Sequence, residues 1–363
     1  MSLAKGVTVS RMGWLIGGVA VGGGAIGLGV GTIGAGLVRE ALHGNPAVDD
    51  GPDDLLAPPT APSTTHSVRT PDGTRLNVVS YGPQNSDGDV IVAVHGWTCN
   101  TSYWNPQINH FAGERTVIAY DQRGHGGSEL GRARPTVATL GQDLEAVLDA
   151  VVPQGRRAIL IGHSMGGMTI MSWAAQYPQR VRERVSAVVL ASTAAKAVMQ
   201  NHLLIPVDLP RYSKPFAPAM TKLITSTPLP LPHNTYSPRM SQYFALGSTA
   251  RAAHVAFVDQ MITTCPPRAR ARWGAAMGKL DLTAGLQALQ VPTTIVVGTD
   301  DRLTPPSHAE RMAEVLSRNG NLRELCILDG VGHMSTIEAG TEVNEVLESI
   351  IAETQDRDRA VSV

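Results

Sequence analysis

Gly162-His163-Ser164-Met165-Gly166 holds a serine between two glycines, at the end of the apolar run Ala158–Ile161 and ahead of an apolar stretch from Met165 onward. A serine hydroxyl is a weak nucleophile until a base takes its proton. On a sharp turn between strand and helix the Ser164 hydroxyl is pushed into the open, and glycines on either side leave room where a Cβ would clash. A helix beginning at Met165 also aims its first N–H groups at negative charge developing near the serine. The chemistry this serves is acyl transfer, which needs a base late in the chain and a carboxylate before it, in the order Ser, Asp/Glu, His. Val331-Gly332-His333-Met334 follows an apolar run and supplies the base, His333. Gly298-Thr299-Asp300-Asp301-Arg302-Leu303-Thr304-Pro305 follows another and supplies the carboxylate. The spacing to Gly298 and Pro305 favours Asp301, with Asp300 as the alternative and otherwise a turn residue. Ser192-Thr193-Ala194-Ala195, a further position for the acid, contains no carboxylate, and Asp329 reads as a turn residue.

An acyl-transfer site also needs two N–H donors for the oxyanion. Met165, directly after the nucleophile, is expected to give one. Trp97, in His95-Gly96-Trp97-Thr98, is expected to give the other, and its indole either walls a substrate pocket or packs in the core. His95, His125 and His163 read as turn or supporting residues, because none follows the serine late enough to be the base. Cys99 reads as a bystander thiol.

These residues need a scaffold that brings several loops to one edge. Strands are expected over 74–81, 89–94, 115–120, 158–162, 185–191, 293–297 and 322–328. Helices are expected over 136–152, 165–177, 307–316 and 336–354. Short β-branched runs alternating with helical periods imply parallel crossovers and an α/β sheet. The alternation stops over 195–276, which carries ten of the 24 prolines. An insertion of that size reads as a cap or lid. Its apolar residues, among them Leu203, Leu204, Phe216, Met220 and Leu223, suit an apolar acyl chain.

The chain has 363 residues, 30 Lys+Arg against 31 Asp+Glu, and 43% apolar residues. Near-zero net charge argues against nucleic acid as a partner through a general basic field. The apolar content excludes a disordered chain. Three scattered cysteines exclude a disulfide scaffold or a CxxC metal site. Ten of the 37 glycines fall in the uncharged stretch Trp14–Val38. In lipid such a stretch stays helical, and about 20 apolar residues span a bilayer. Residues 1–40 are therefore expected to be a transmembrane or signal-anchor segment, with a cleaved signal peptide or a plain leader as alternatives. Lys5 and Arg11 before it, and acidic residues after it, place the body outside the cytoplasm. Residues 41–67 read as a Pro-rich acidic linker, 68–194 and 277–356 as the core, and 357–363 as a tail.

Taken together, His95-Gly96-Trp97, Asp121-Gln122-Arg123-Gly124-His125-Gly126-Gly127-Ser128, the Gly162–Gly166 turn and the Asp301/His333 pair resemble the α/β-hydrolase family over about 68–354. The resemblance implies an α/β-hydrolase fold, a mostly parallel sheet with helices on both faces and a helical cap insertion. It implies Ser164, Asp301 and His333 as a triad, Trp97 and Met165 as the oxyanion hole, and a structural role for the Arg123 loop. It implies no metal and no organic cofactor. The expected activity is cleavage of a small-molecule carboxylic ester, with lipid-like acyl esters in view and the membrane as a partner through the N-terminal helix. A thioesterase or a cofactor-free haloperoxidase or perhydrolase on the same triad is the alternative. A binding protein without catalysis is a third reading, which the complete triad opposes.

Overall fold

Val90, Val92 and Val94 point to one side of their strand and Ile91 and Ala93 to the other, and all five are buried. That is why the sequence there is an unbroken apolar run: the strand is covered on both faces. The computed structural model describes residues 24–84, 88–198, 217–278 and 280–361. Its eight strands are β1 Ser63–Arg69, β2 Arg75–Tyr81, β3 Val90–Val94, β4 Val117–Tyr120, β5 Ala158–His163, β6 Val185–Ala191, β7 Thr293–Gly298 and β8 Leu322–Leu328. They form one sheet in the order β1-β2-β4-β3-β5-β6-β7-β8. The β1–β2 and β2–β4 pairs are antiparallel and every other pair is parallel.

One face of the sheet packs on α3 Val137–Val151, α4 Met165–Gln176, α10 Thr283–Ala288 and α11 Pro306–Arg318. The other packs on α2 Asn105–Phe111 and α13 Gly340–Val361. The fold is the expected α/β-hydrolase arrangement. Within 195–276 the described residues form four helices, α6 Ala217–Ser226, α7 Ser237–Ala245, α8 Ala252–Thr264 and α9 Pro267–Met277. Leu203, Leu204 and Phe216 lie outside the described residues.

Several boundaries differ from expectation, each for a local reason. β1 lies partly inside the expected linker. Its side chains are mostly exposed, so it shows no apolar alternation and is held by backbone pairing to β2. A further helix, α5 Pro178–Arg184, starts on the proline directly after the expected helix 165–177. Proline is tolerated at a first helical position because no N–H is needed there. The expected tail is helical through Val361, where helix propagation continues along charged, solvated residues.

The N-terminal expectation changes most. Of the stretch Trp14–Val38, the residues before Gly24 lie outside the described residues, and the rest belongs to α1 Gly24–His43. Among the described residues no helix is long and apolar enough to cross a membrane. Ile33 and Leu37, which a span through Val38 would place in lipid, are buried against Met220 of the cap.

Arg123 ties distant elements together. Its guanidinium meets Asp143 of α3 at 2.6 Å and Asp72 of the β1–β2 turn at 2.7 Å. Its carbonyl accepts from the Trp273 indole of α9 at 2.7 Å. Arg123 and Asp143 are both buried, so removing one charge strands the other. Arg123→Met should cost about 3–5 kcal/mol. Denaturant midpoints at constant slope check this, and Asp72→Asn, at the solvent-exposed partner, should cost far less.

Candidate active site

Ser164 follows β5 and precedes α4 with φ +52° and ψ −115°. A non-glycine residue in this region is strained and persists only where its surroundings over-determine it. Here they do. A Cβ on Gly166 would sit 1.9 Å from the Val94 carbonyl oxygen, and one on Gly162 would sit 2.6 Å from Gly166 backbone. The Thr193 hydroxyl, two residues past β6, donates to the Ser164 carbonyl at 2.6 Å.

His333 follows β8, on a loop pinned from two sides. Its N–H and that of Met334 both donate to the carbonyl of Ala245, the last residue of α7, at 2.9 and 3.1 Å. Its own carbonyl accepts from His163 Nε2 at 2.9 Å. His333 Nδ1 lies 3.0 and 2.9 Å from the two oxygens of Asp301. That bond assigns the ring proton to Nδ1 and leaves Nε2 with a lone pair.

Asp301 is buried, and burial is the strongest single influence on its carboxyl, opposing ionisation. The neighbouring His333 and the hydrogen bonds from His333 and Thr304 outweigh it and hold the carboxyl below its ordinary value. Oδ1 accepts from the backbone N–H groups of Leu303 and Thr304, and Oδ2 from the Thr304 hydroxyl at 2.8 Å. Asp300 instead accepts from the Ser248 N–H at 2.8 Å, in the cap. The structure therefore joins Asp301, not Asp300, to His333. Sequence reasoning missed Thr304, although Asp-x-x-Thr is a recognisable side-chain-to-backbone turn signal.

Trp97 lines the cavity, and Met165 directly follows Ser164, which also lines it. Met165 is the first residue of α4, so its N–H has no intrahelical acceptor. On the neighbouring loop the Thr98 N–H donates to His125 and the Cys99 N–H to the Gly96 carbonyl. Among the described residues the Trp97 N–H has no such acceptor. The Trp97 indole N–H donates to the Arg270 carbonyl at 3.0 Å, which clamps the ring against α9.

The other histidines act as buried struts. His95 accepts from the Gln122 N–H, and burial lowers its pKa to about 4. Burial lowers that of His125 to about 3, and that of His163 lies well below the ordinary value for the same reason. His163 also stacks on Tyr103, ring centroids 4.3 Å apart. All three stay neutral. Cys99 is buried, and burial raises its thiol pKa far above the ordinary value.

Sequence reasoning also missed Glu338, a half-buried carboxyl of the short helix α12 Ser335–Glu338. It accepts from the N–H of Gly247 at 2.7 Å and of Gly332 at 3.1 Å, bridging the cap to the His333 loop.

Ser164 and His333 line one cavity of ≈ 360 Å³. Its wall is mainly apolar, with Met168, Met220, Met240, Phe244 and Ile262 among the contributors. A serine, an oriented imidazole and a buried carboxylate at such a cavity can carry out nucleophilic acyl transfer.

A family profile for the α/β-hydrolase fold matches residues 89–340. The chain belongs to the α/β-hydrolase fold family. It is similar to a non-heme chloroperoxidase from Streptomyces lividans, 28% identical over 71% of this chain and 90% of that protein. It is also similar to a bifunctional esterase/perhydrolase from Acinetobacter calcoaceticus, 28% identical over 77% of this chain and 97% of that protein. A solved esterase from Thermogutta terrifontis superposes with a TM-score of 0.63 at 20% identity, covering 81% of this chain and 99% of that one. That likeness concerns the fold.

Two predictions rest on this geometry. Asp301→Asn frees the imidazole to take the wrong tautomer, so labelling of Ser164 by a fluorophosphonate should slow by about 10⁴-fold. Asp300→Asn should leave the labelling rate little changed. The second concerns pH. Burial pushes the Glu338 carboxyl up from 4.5 to about 8, so the folded chain holds a proton there that the unfolded chain loses. Stability should therefore fall as pH rises from about 4.5 to about 8. Glu338→Gln should remove that slope in Tm against pH. Asp301 acts oppositely: its lowered carboxyl lends stability that is lost on acidification.

Proposed function

We propose that the chain is a serine hydrolase that cleaves carboxylic esters through an acyl-enzyme on Ser164. The observation that carries this reading is the His333–Asp301 pair at 2.9 Å, whose histidine lines the same cavity as a strained, buried Ser164. Ser164 Oγ attacks the ester carbonyl as His333 Nε2 takes its proton. Asp301 holds the imidazole in the required tautomer and stabilises the cation that forms. The N–H groups of Trp97 and Met165 receive the oxyanion. His333 then returns the proton to the departing alcohol. Water, deprotonated by His333, attacks the acyl-enzyme and releases the acid, restoring Ser164.

The apolar wall supports acyl esters with a hydrocarbon chain as substrates. Burial of each methylene contributes about 0.8 kcal/mol, so a chain seated in such a cavity gains affinity with length. We also infer, from the charges around the apolar N-terminal stretch alone, that the part of this stretch before Gly24 attaches the enzyme to a membrane with the body outside the cytoplasm. Resistance of the full chain to alkaline carbonate extraction is the expected outcome, and release into the supernatant counts against it.

A second reading is favoured by the relatives named chloroperoxidase and esterase/perhydrolase. In it hydrogen peroxide replaces water in the second step, so the acyl group leaves as a peracid and Ser164 is again restored. The two readings share the acyl-enzyme and differ only in its acceptor. Ser164→Ala should abolish turnover of p-nitrophenyl esters, with the loss about 10⁶-fold in kcat. Retained turnover would show that the serine assignment is wrong. Peracid formation from a p-nitrophenyl ester in the presence of peroxide, compared with acid formation from the same ester, decides between the acceptors.

A further inference from the structure

The cavity has a wall that the hydrolase body does not supply. Leu37, on α1, lines it together with Met220 of α6 and Phe244 of α7. Ile33, Leu37 and Ala41 are spaced four apart, lie on one helix face, and are all buried. Ile33 and Leu37 cluster with Met220, and Leu223, Tyr243 and Phe244 pack around them.

Intrinsic propensity does not explain why α1 sits there. Its sequence carries glycines at 24, 27, 29, 31, 34 and 36, each costing about 1 kcal/mol against alanine in a helix interior. The segment that follows fastens it instead. The Gln242 side chain donates to the Asn45 carbonyl at 3.2 Å. Val48 exchanges two backbone hydrogen bonds with the cap, its N–H to Ala250 at 3.1 Å and its carbonyl from Ala252 at 2.7 Å. Arg251 pairs with Asp50 at 2.8 Å and Asp53 at 2.6 Å, and His254 reaches Asp53 at 3.0 Å. Residues expected to be a loose linker thus form a strap that holds α1 against the cap. Both strap and helix precede residue 89, where the match to the family begins.

We propose that α1 is a fitted wall of the acyl cavity and that Leu37 sets the length of acyl chain the enzyme accepts. This rests on the ester-hydrolase reading above. A helix serving only as a strut would need its apolar side against the cap. Leu37 also presents surface to the cavity that Ser164 and His333 share, so a change in its volume changes the room left for a chain.

The test uses the full chain and p-nitrophenyl esters from acetate to decanoate. Leu37→Trp narrows the cavity and Leu37→Ala widens it. Ala35→Trp adds the same bulk on the exposed side of the same helix. Each methylene excluded from the cavity lowers kcat/KM by about fourfold. Loss of room for two methylenes should therefore cut the decanoate-to-acetate ratio by about 16-fold in Leu37→Trp. Leu37→Ala should move the optimum to longer chains, and Ala35→Trp should leave the ratio as in the parent. Fluorophosphonate labelling and Tm are read on every variant. If Leu37→Trp does not fold, Leu37→Ala decides alone. An unchanged ratio in Leu37 variants that fold and label at Ser164 overturns the proposal. A parent chain that neither labels nor hydrolyses any ester overturns the ester reading itself.

Discussion

The approach of α4 to β3 is the constraint on which the site depends. Gly166 lies so close to the Val94 carbonyl that no side chain fits between them, and Gly162 closes on Gly166 in the same way. This contact holds Ser164 at φ +52°, a conformation costing about 1–3 kcal/mol that the packed sheet has to offset. The same approach sets the neighbouring loop. Val94 pairs in register with Gly162, so the chain leaving β3 runs beside the chain leaving β5. Gly96 then passes so near His163 and Ser164 that a Cβ there would clash. The Trp97 and Met165 N–H groups are neighbours of the serine because two strands end side by side.

The histidine is placed by a different contact. Two consecutive N–H groups of the His333 loop share the Ala245 carbonyl, and Gly332 meets Gly247 where neither tolerates a Cβ. Glu338 bonds to both glycines, and Asp300 fastens the next cap residue, Ser248. The cap is therefore built into the mounting of the base. Displacing α7 would take with it the carbonyl that orients the His333 backbone, so access to the cavity and alignment of the imidazole are coupled through the end of one helix.

What could be read from the sequence follows burial. β6 matches its expected limits because all seven of its residues are buried and apolar residues dominate it. β1 escaped because most of its side chains face solvent, and only its backbone records the pairing. Ser164 and His333 stood out because their glycines and neighbours are required by the turns that carry them. Asp300 and Asp301 could not be separated with the same force. Adjacent residues of one type differ only in direction, and direction came from Thr304, Leu303 and Ser248, which hold one carboxylate inward and the other toward the cap. Glu338 gave no signal, since a carboxyl bonded to backbone N–H groups needs partners that have no side-chain identity.

The N-terminal stretch shows why the substrate is less legible than the reaction. The reaction is fixed at strand ends, where close backbone contacts restrict residue type and leave motifs. The cavity wall is assembled from α1, α6, α7 and α8, where apolar residues of similar size exchange at modest cost. Such walls leave no motif. A glycine-rich apolar run is ambiguous in the same way: lipid and the apolar side of a cap favour the same residues. What distinguishes them is the strap of Asp50 and Asp53 on Arg251, which holds the end of that run to the enzyme. Leu37, outside the family-matched body, is thus held at the cavity by an ion pair remote from the chemistry.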